Sequence, residues 1–206
     1  MPATSRGGYT CEGGGRGGPL QIETVAVVGA SESGTACAVL AALAGCAVRV
    51  FDASDAALDR AFESVRRRVE LAFAAGTITR TERQRILDGV LFTPDLDEAL
   101  TGADLAVDAT VAPVEHLHAH LAGALRATAA IAAARRAAAE EIASALPQPG
   151  RVLALELTDA HGPVPRLDVF PAAGTSAHVL ERARAFAARV NGASRTSAPA
   201  LRAGAA

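Results

Sequence analysis

From residue 22 onward the apolar positions of this 206-residue chain change period repeatedly. Short β-branched runs at 22–28 and 47–51 predict strands, and the Ala-rich stretch 33–45 between them predicts a helix with Gly45 as its C-cap. After Ser54, an N-cap type of residue, Leu58, Phe62, Val65, Val69 and Phe73 recur at three or four positions with charges between. That spacing predicts a helix to about residue 75, stopped by Gly76. Thr79 followed three residues later by Glu82 is a capping box and opens a second helix, so the pair forms a long helical hairpin. Beyond it the pattern predicts a strand at 90–92, a short helix at 95–101 and a strand at 105–107. A helix at 114–126, a strand at 129–133 and a helix at 137–145 follow. Strands at 152–157 and 167–170, separated by the Pro-bearing segment 159–165, precede an amphipathic helix at 176–190. A short strand is expected near 194–198, after Asn191-Gly192. Strands alternating with helices predict an α/β fold with a mainly parallel sheet.

The first strand ends in Val28-Gly29-Ala30-Ser31-Glu32-Ser33-Gly34, and Asp52 ends the second. Strand, glycine turn, helix, strand and acidic residue is the pattern of a dinucleotide-binding βαβ unit of Rossmann type. Gly29 makes the tight turn and Gly34 allows close helix–strand packing. The helix N-terminus faces a pyrophosphate, where free N–H groups and the helix dipole favour an anion. Asp52 accepts the hydroxyls of the adenosine ribose and disfavours a 2′-phosphate, which selects NAD over NADP. Ser31 stands where a glycine normally lets the backbone approach the phosphates. Glu32 adds a carboxylate beside the same anion, and like charges repel. A plain β–α turn is the alternative reading of 29–34, and a solvated aspartate that of Asp52.

Composition narrows the class. Half of the residues are apolar, enough for a sizeable core, and the net charge of −2 excludes a basic nucleic-acid surface. Cys11, Cys37 and Cys46 form no CxxC pair and are odd in number, so reduced thiols are expected. No apolar run is long enough to span a bilayer and the N-terminus has no secretory h-region, so a cytoplasmic protein is expected. Residues 1–19 are Gly-rich and are expected to be a disordered tail, 20–198 one domain and 199–206 a second tail. His116 and His120 share a helical face at metal-capable spacing, but only Glu115 lies nearby as a further ligand, and no metal site is assigned. His118 belongs to the same predicted helix, read as solvated or partner-facing, whereas His161 and His178 have no matching companions and are read as non-catalytic.

Four passages resemble the NAD-binding domain of L-3-hydroxyacyl-CoA dehydrogenases: 25–34 with Asp52; the hairpin with Ala75-Gly-Thr-Ile-Thr79 at its bend; Thr93 to Leu100 leading to Ala103-Asp-Leu-Ala-Val-Asp108; and 151–170. They span residues 22 to about 198. The resemblance implies a Rossmann-type, doubly wound α/β fold with a helical hairpin insert, and NAD as cofactor at Gly29, Ala30, Ser31, Ser33, Gly34 and Asp52. The family's general base is a histidine oriented by a glutamate, a pairing suited to proton transfer near neutral pH. Here Glu156 takes the histidine position and Asp168 that of the glutamate. Two carboxylates can share a proton with one pKa raised; they are also read as ordinary polar residues on neighbouring strands. Asp159 replaces an asparagine, Arg135-Arg-Ala-Ala138 lacks the family's substrate-contacting serine, and Ala112 and Leu117 replace a glutamate and a lysine.

The family's enzymes continue into a C-terminal helical domain that completes the substrate site and the dimer. This chain is expected to stop where that domain begins. Three functions stay open: an NAD-dependent 3-hydroxyacyl-CoA dehydrogenase, impaired or inactive as an isolated chain; a non-catalytic NAD-binding regulator; and a nucleotide-free interaction module. Acyl-CoA, a second copy or a polypeptide supplying the helical half are the further partners implied; nucleic acid and membrane are not.

Overall fold

The computed structural model describes residues 21–110, 130–133, 135–158 and 165–196. Seven strands form one sheet in the order β3-β2-β1-β4-β5-β6-β7. They are β1 (Thr24–Val28), β2 (Ala47–Phe51), β3 (Val90–Thr93), β4 (Leu105–Asp108), β5 (Ala130–Ala133), β6 (Val152–Thr158) and β7 (Arg166–Pro171). All pairings are parallel except β6 with β7. The helices are α1 (Glu32–Leu43), α2 (Asp55–Ala74), α3 (Arg80–Gly89), α4 (Leu96–Leu100), α5 (Arg136–Ala145) and α6 (Ala177–Thr196).

A central parallel strand is covered on both faces, so β1 reads as an unbroken apolar run. Val25 and Val27 point into a core shared with Cys37 and Leu40 of α1, Val65 and Val69 of α2, Ile86 of α3 and Phe186 of α6. Ala26 and Val28 point the other way, to Leu100 of α4 and Ile142 of α5. The sheet is therefore doubly wound, as expected. The hairpin forms as its caps dictate. The Ser54 hydroxyl accepts from the Ala57 amide, and Thr79 and Glu82 complete a reciprocal capping box. Gly76, at φ +70°, turns the chain between the two helices.

One expectation fails. No strand forms at 194–196, because α6 continues through Asn191-Gly192 to Thr196. Asn191 is not a turn residue here: its side-chain amide accepts from Leu167 N–H at 2.9 Å and donates to Leu167 C=O at 3.0 Å, pinning α6 to β7. The predicted helix at 114–126, with His116, His118 and His120, lies outside the described residues, as do Ala112, Leu117, Asp159, His161 and both expected tails. Among the described residues no helix is long and apolar enough to cross a membrane, and none form a metal-binding cluster.

Candidate functional site

β1 and β4 are neighbours, while α1 leads away from β1 to β2 on its other side. The crevice outside the carboxyl ends of β1 and β4 is therefore the topological switch point, where open α/β sheets hold ligands. Gly29 stands there at φ +101°. A Cβ on it would lie 2.8 Å from Thr110 N and 2.9 Å from Ala109 C, so both conformation and space demand glycine. Its amide donates to Phe51 C=O at 2.8 Å, tying the loop to the end of β2. Gly34, one turn on, is required by contact alone. A Cβ there would sit 2.5 Å from the Gly29 carbonyl oxygen and 3.0 Å from Ala109 Cβ.

Asp52 follows β2 and turns toward this loop. Its Oδ2 accepts the Ala30 amide at 3.0 Å and its Oδ1 the Ser54 amide at 3.0 Å. Two backbone donors hold the half-buried carboxylate in one orientation. Each oxygen keeps a free lone pair, so the group can still accept two hydroxyl donors.

Ser31 is the N-cap of α1 in ordinary extended backbone (φ −72°, ψ 171°), so nothing in its conformation calls for glycine. Its Oγ accepts the Gly34 amide at 3.1 Å and lies 3.1 Å from Ser33 Oγ. The cap uses one of the four orphan amides at the helix start. The amides of Glu32 and Ser33, the first two helical residues, have no acceptor within the helix, and both residues are exposed. Two free N–H groups and the positive dipole end therefore remain for an anion. The Glu32 carboxylate is engaged by Arg68 of α2, with Arg68 Nη2 3.0 Å from Glu32 Oε1.

The other predicted pair is also brought together. Glu156 and Asp168 are direct cross-strand partners in the antiparallel β6–β7 register, both half-buried. Asp168 Oδ2 accepts the Thr158 hydroxyl at 3.0 Å. Their side of the strands continues into Ala154 and Phe170, the next pair along. The Arg136 guanidinium stacks 3.8 Å from the Phe170 ring centroid. Glu156 lies toward the carboxyl end of β6, the same edge of the parallel strands as Gly29. β6 is three strands from β1, roughly 14 Å at the usual strand spacing. Like charges directly opposite in a sheet destabilise it, and a carboxylate is a much weaker base at neutral pH than an imidazole.

Two residues at the crevice escaped the sequence reading as site residues. Asp108 ends β4 buried, accepting the Thr110 amide at 2.9 Å and hydroxyl at 2.8 Å. Its signal was present, since β4 ends in an acid just as Asp52 follows β2. Arg68 gave no signal, because its partner is 36 positions away.

The comparison with known families decides the identity of this scaffold. Residues 24–194 match the model of the 3-hydroxyacyl-CoA dehydrogenase NAD-binding domain. The chain belongs to this family. The 3-hydroxybutyryl-CoA dehydrogenase of Mycobacterium tuberculosis is 30% identical over 176 residues, covering 83% of this chain and 61% of that protein. Among solved structures, M. tuberculosis FadB2 superposes with a TM-score of 0.75 at 29% identity, covering 84% of this chain and 62% of that one. The Escherichia coli K12 3-hydroxybutyryl-CoA dehydrogenase gives 0.74 at 25% identity, covering 82% and 37%. The chain thus spans about three fifths of the length of the curated relative it matches. Within the family's NAD-binding domain, Gly29, Gly34 and Asp52 keep the glycine turn, the close packing and the acid after β2. Ser31 and Glu32 are accommodated as a helix cap and half of an ion pair. The residues present fit a dinucleotide.

Proposed function

We propose that this chain binds NAD in the crevice at β1 and β4 and that its dehydrogenase chemistry is impaired. The observation that carries the reading is the Asp52 carboxylate, oriented by Ala30 N–H and Ser54 N–H beside the start of α1, where the Glu32 and Ser33 amides have no acceptor within the helix. In this reading Asp52 receives the adenosine ribose hydroxyls and repels a 2′-phosphate, so NAD is preferred to NADP. Gly29, Ala30, Ser31 and Ser33 would hold the pyrophosphate. The Glu32 and Ser33 amides would donate to it, with Gly34 keeping the helix close enough for them to do so. Bound NAD would supply the hydride acceptor for oxidation of a 3-hydroxyacyl thioester.

The chain's own contribution to that reaction would be a base for the substrate hydroxyl, held by a second group. Glu156 and Asp168 occupy those two places. As facing carboxylates they offer no imidazole to take the proton, and Arg135 and Arg136 supply no hydroxyl to orient a substrate. The reading is therefore nucleotide binding with little or no turnover, in fatty-acid metabolism and in the cytoplasm. Acyl-CoA and a second copy of the chain are the further partners it implies.

Isothermal titration of the purified chain with NAD and NADP tests the first half. Consumption of NADH with acetoacetyl-CoA tests the second. NAD binding with NADH consumption no faster than the protein-free control supports the reading; brisk turnover, or no heat with NAD, refutes it.

A further inference from the structure

Glu32 creates a difficulty for the nucleotide site, and the fold answers it from outside the loop. The residue is the first of α1, so its carboxylate stands at the mouth that would receive a pyrophosphate. Alone, it favours the helix dipole in the empty site but opposes a phosphate by like charge. Its side chain is 73% exposed, free to turn toward solvent, yet it is paired at 3.0 Å with Arg68. Arg68 projects from the middle of α2, whose neighbours Val65 and Val69 are buried against α1. The arginine side chain is only 25% exposed. Its Nε is buried without a hydrogen-bond partner among the described residues, so the guanidinium reaches Glu32 through Nη2 alone. A half-satisfied, largely buried cation is costly to hold in place for a surface ion pair of ordinary worth. The pairing gains a purpose if the Glu32 carboxylate has to be held off an anion arriving at the start of α1.

We infer that Arg68 is a positioning residue for the dinucleotide: it neutralises Glu32 and draws that carboxylate away from the phosphates. The inference rests on the NAD-binding reading and specifies how that site tolerates an acidic residue in its loop. The α2–α3 hairpin then does more than cover one face of the sheet, because it carries the counter-charge of the loop. Arg68 acts through Glu32, so its effect on NAD should exist only while Glu32 is charged.

The test is a double-mutant cycle on NAD affinity, read by isothermal titration with the full chain. The variants are Arg68→Met, Arg68→Lys, Glu32→Gln and Glu32→Gln/Arg68→Met. Thermal melting without NAD confirms that each is folded. Arg68→Met should weaken NAD about fivefold to tenfold at low salt, and less at high salt, as an unscreened like charge at this range would. Arg68→Lys should recover most of the loss. Glu32→Gln should bind NAD at least as well as the unaltered chain, and adding Arg68→Met to it should change affinity by less than about twofold. If Arg68→Met binds NAD like the unaltered chain, or weakens it equally in the Glu32→Gln background, the inference is overturned while NAD binding stands. If the unaltered chain binds no NAD, the functional reading fails and this inference fails with it.

Discussion

The Gly34 α-carbon faces the Gly29 carbonyl so closely that a Cβ on it would lie 2.5 Å from that oxygen. The two outer glycines of the loop are thus coupled: one turns the chain at positive φ, and the other lets α1 pass over the peptide so turned. The obstacle to any larger residue is backbone, which cannot swing aside as a flexible side chain can.

Gly34→Ala should therefore destabilise the fold by roughly 1–3 kcal/mol, the cost of overpacking a close contact. It should also displace the start of α1. Urea denaturation gives the first quantity, and loss of NAD affinity beyond that expected from the unfolded fraction reports the second. An Ala variant as stable as the parent would show that the helix shifts at little cost.

Most of the framework could be read from the chain because its signals are local. Capping boxes, glycine stops and β-branched runs act within a few residues, so the hairpin and the strands lie close to their predicted places. The misplaced strand at 194–198 has the opposite cause. Asn191-Gly192 carries the letters of a turn, but Asn191 spends its amide on Leu167 of β7, a partner 24 positions away. The pairing of Arg68 with Glu32, 36 positions apart, was invisible for the same reason. Ser31 shows a subtler limit: read as a missing glycine it looked like damage, whereas it is an N-cap that satisfies the Gly34 amide. Glu156 and Asp168 are assigned to the base and its partner by the family resemblance alone; the antiparallel register makes them cross-strand neighbours. What the letters could not supply was their surroundings, including Arg136 stacked on Phe170.

Glu156→His should not create a dehydrogenase. It restores an imidazole opposite Asp168, but Arg135 and Arg136 still stand where a hydroxyl would orient the substrate. NADH consumption with acetoacetyl-CoA should stay at the protein-free rate. The same change removes one of two facing carboxylates, so stability at neutral pH should rise by about 0.2–1 kcal/mol. Turnover by the single variant would show that the base alone was missing.

Cys37 predicts how stability depends on pH. Burial on α1, with a smaller contribution from Cys46, pushes its thiol from an ordinary 9.0 up to about 12. Below about pH 9 the thiol is protonated in both states and the burial costs nothing by linkage. Above it the unfolded chain releases the proton first, so stability should fall by up to about 1.4 kcal/mol per pH unit until the folded thiol titrates. Cys37→Ala should flatten part of this decline. It should not abolish it, since burial also raises Cys46. Denaturation midpoints measured on both sides of pH 9 check the slope; equal slopes in the two proteins would contradict it.

NAD should be titrated into the unaltered chain and into Asp52→Asn under the same conditions. The unaltered chain should bind NAD saturably, one to one, and bind little NADP. Affinity for NAD should be at least about tenfold weaker in the variant, from loss of a charged acceptor for the ribose hydroxyls. Equal NAD affinity in both proteins, or none in a folded unaltered chain, would contradict it.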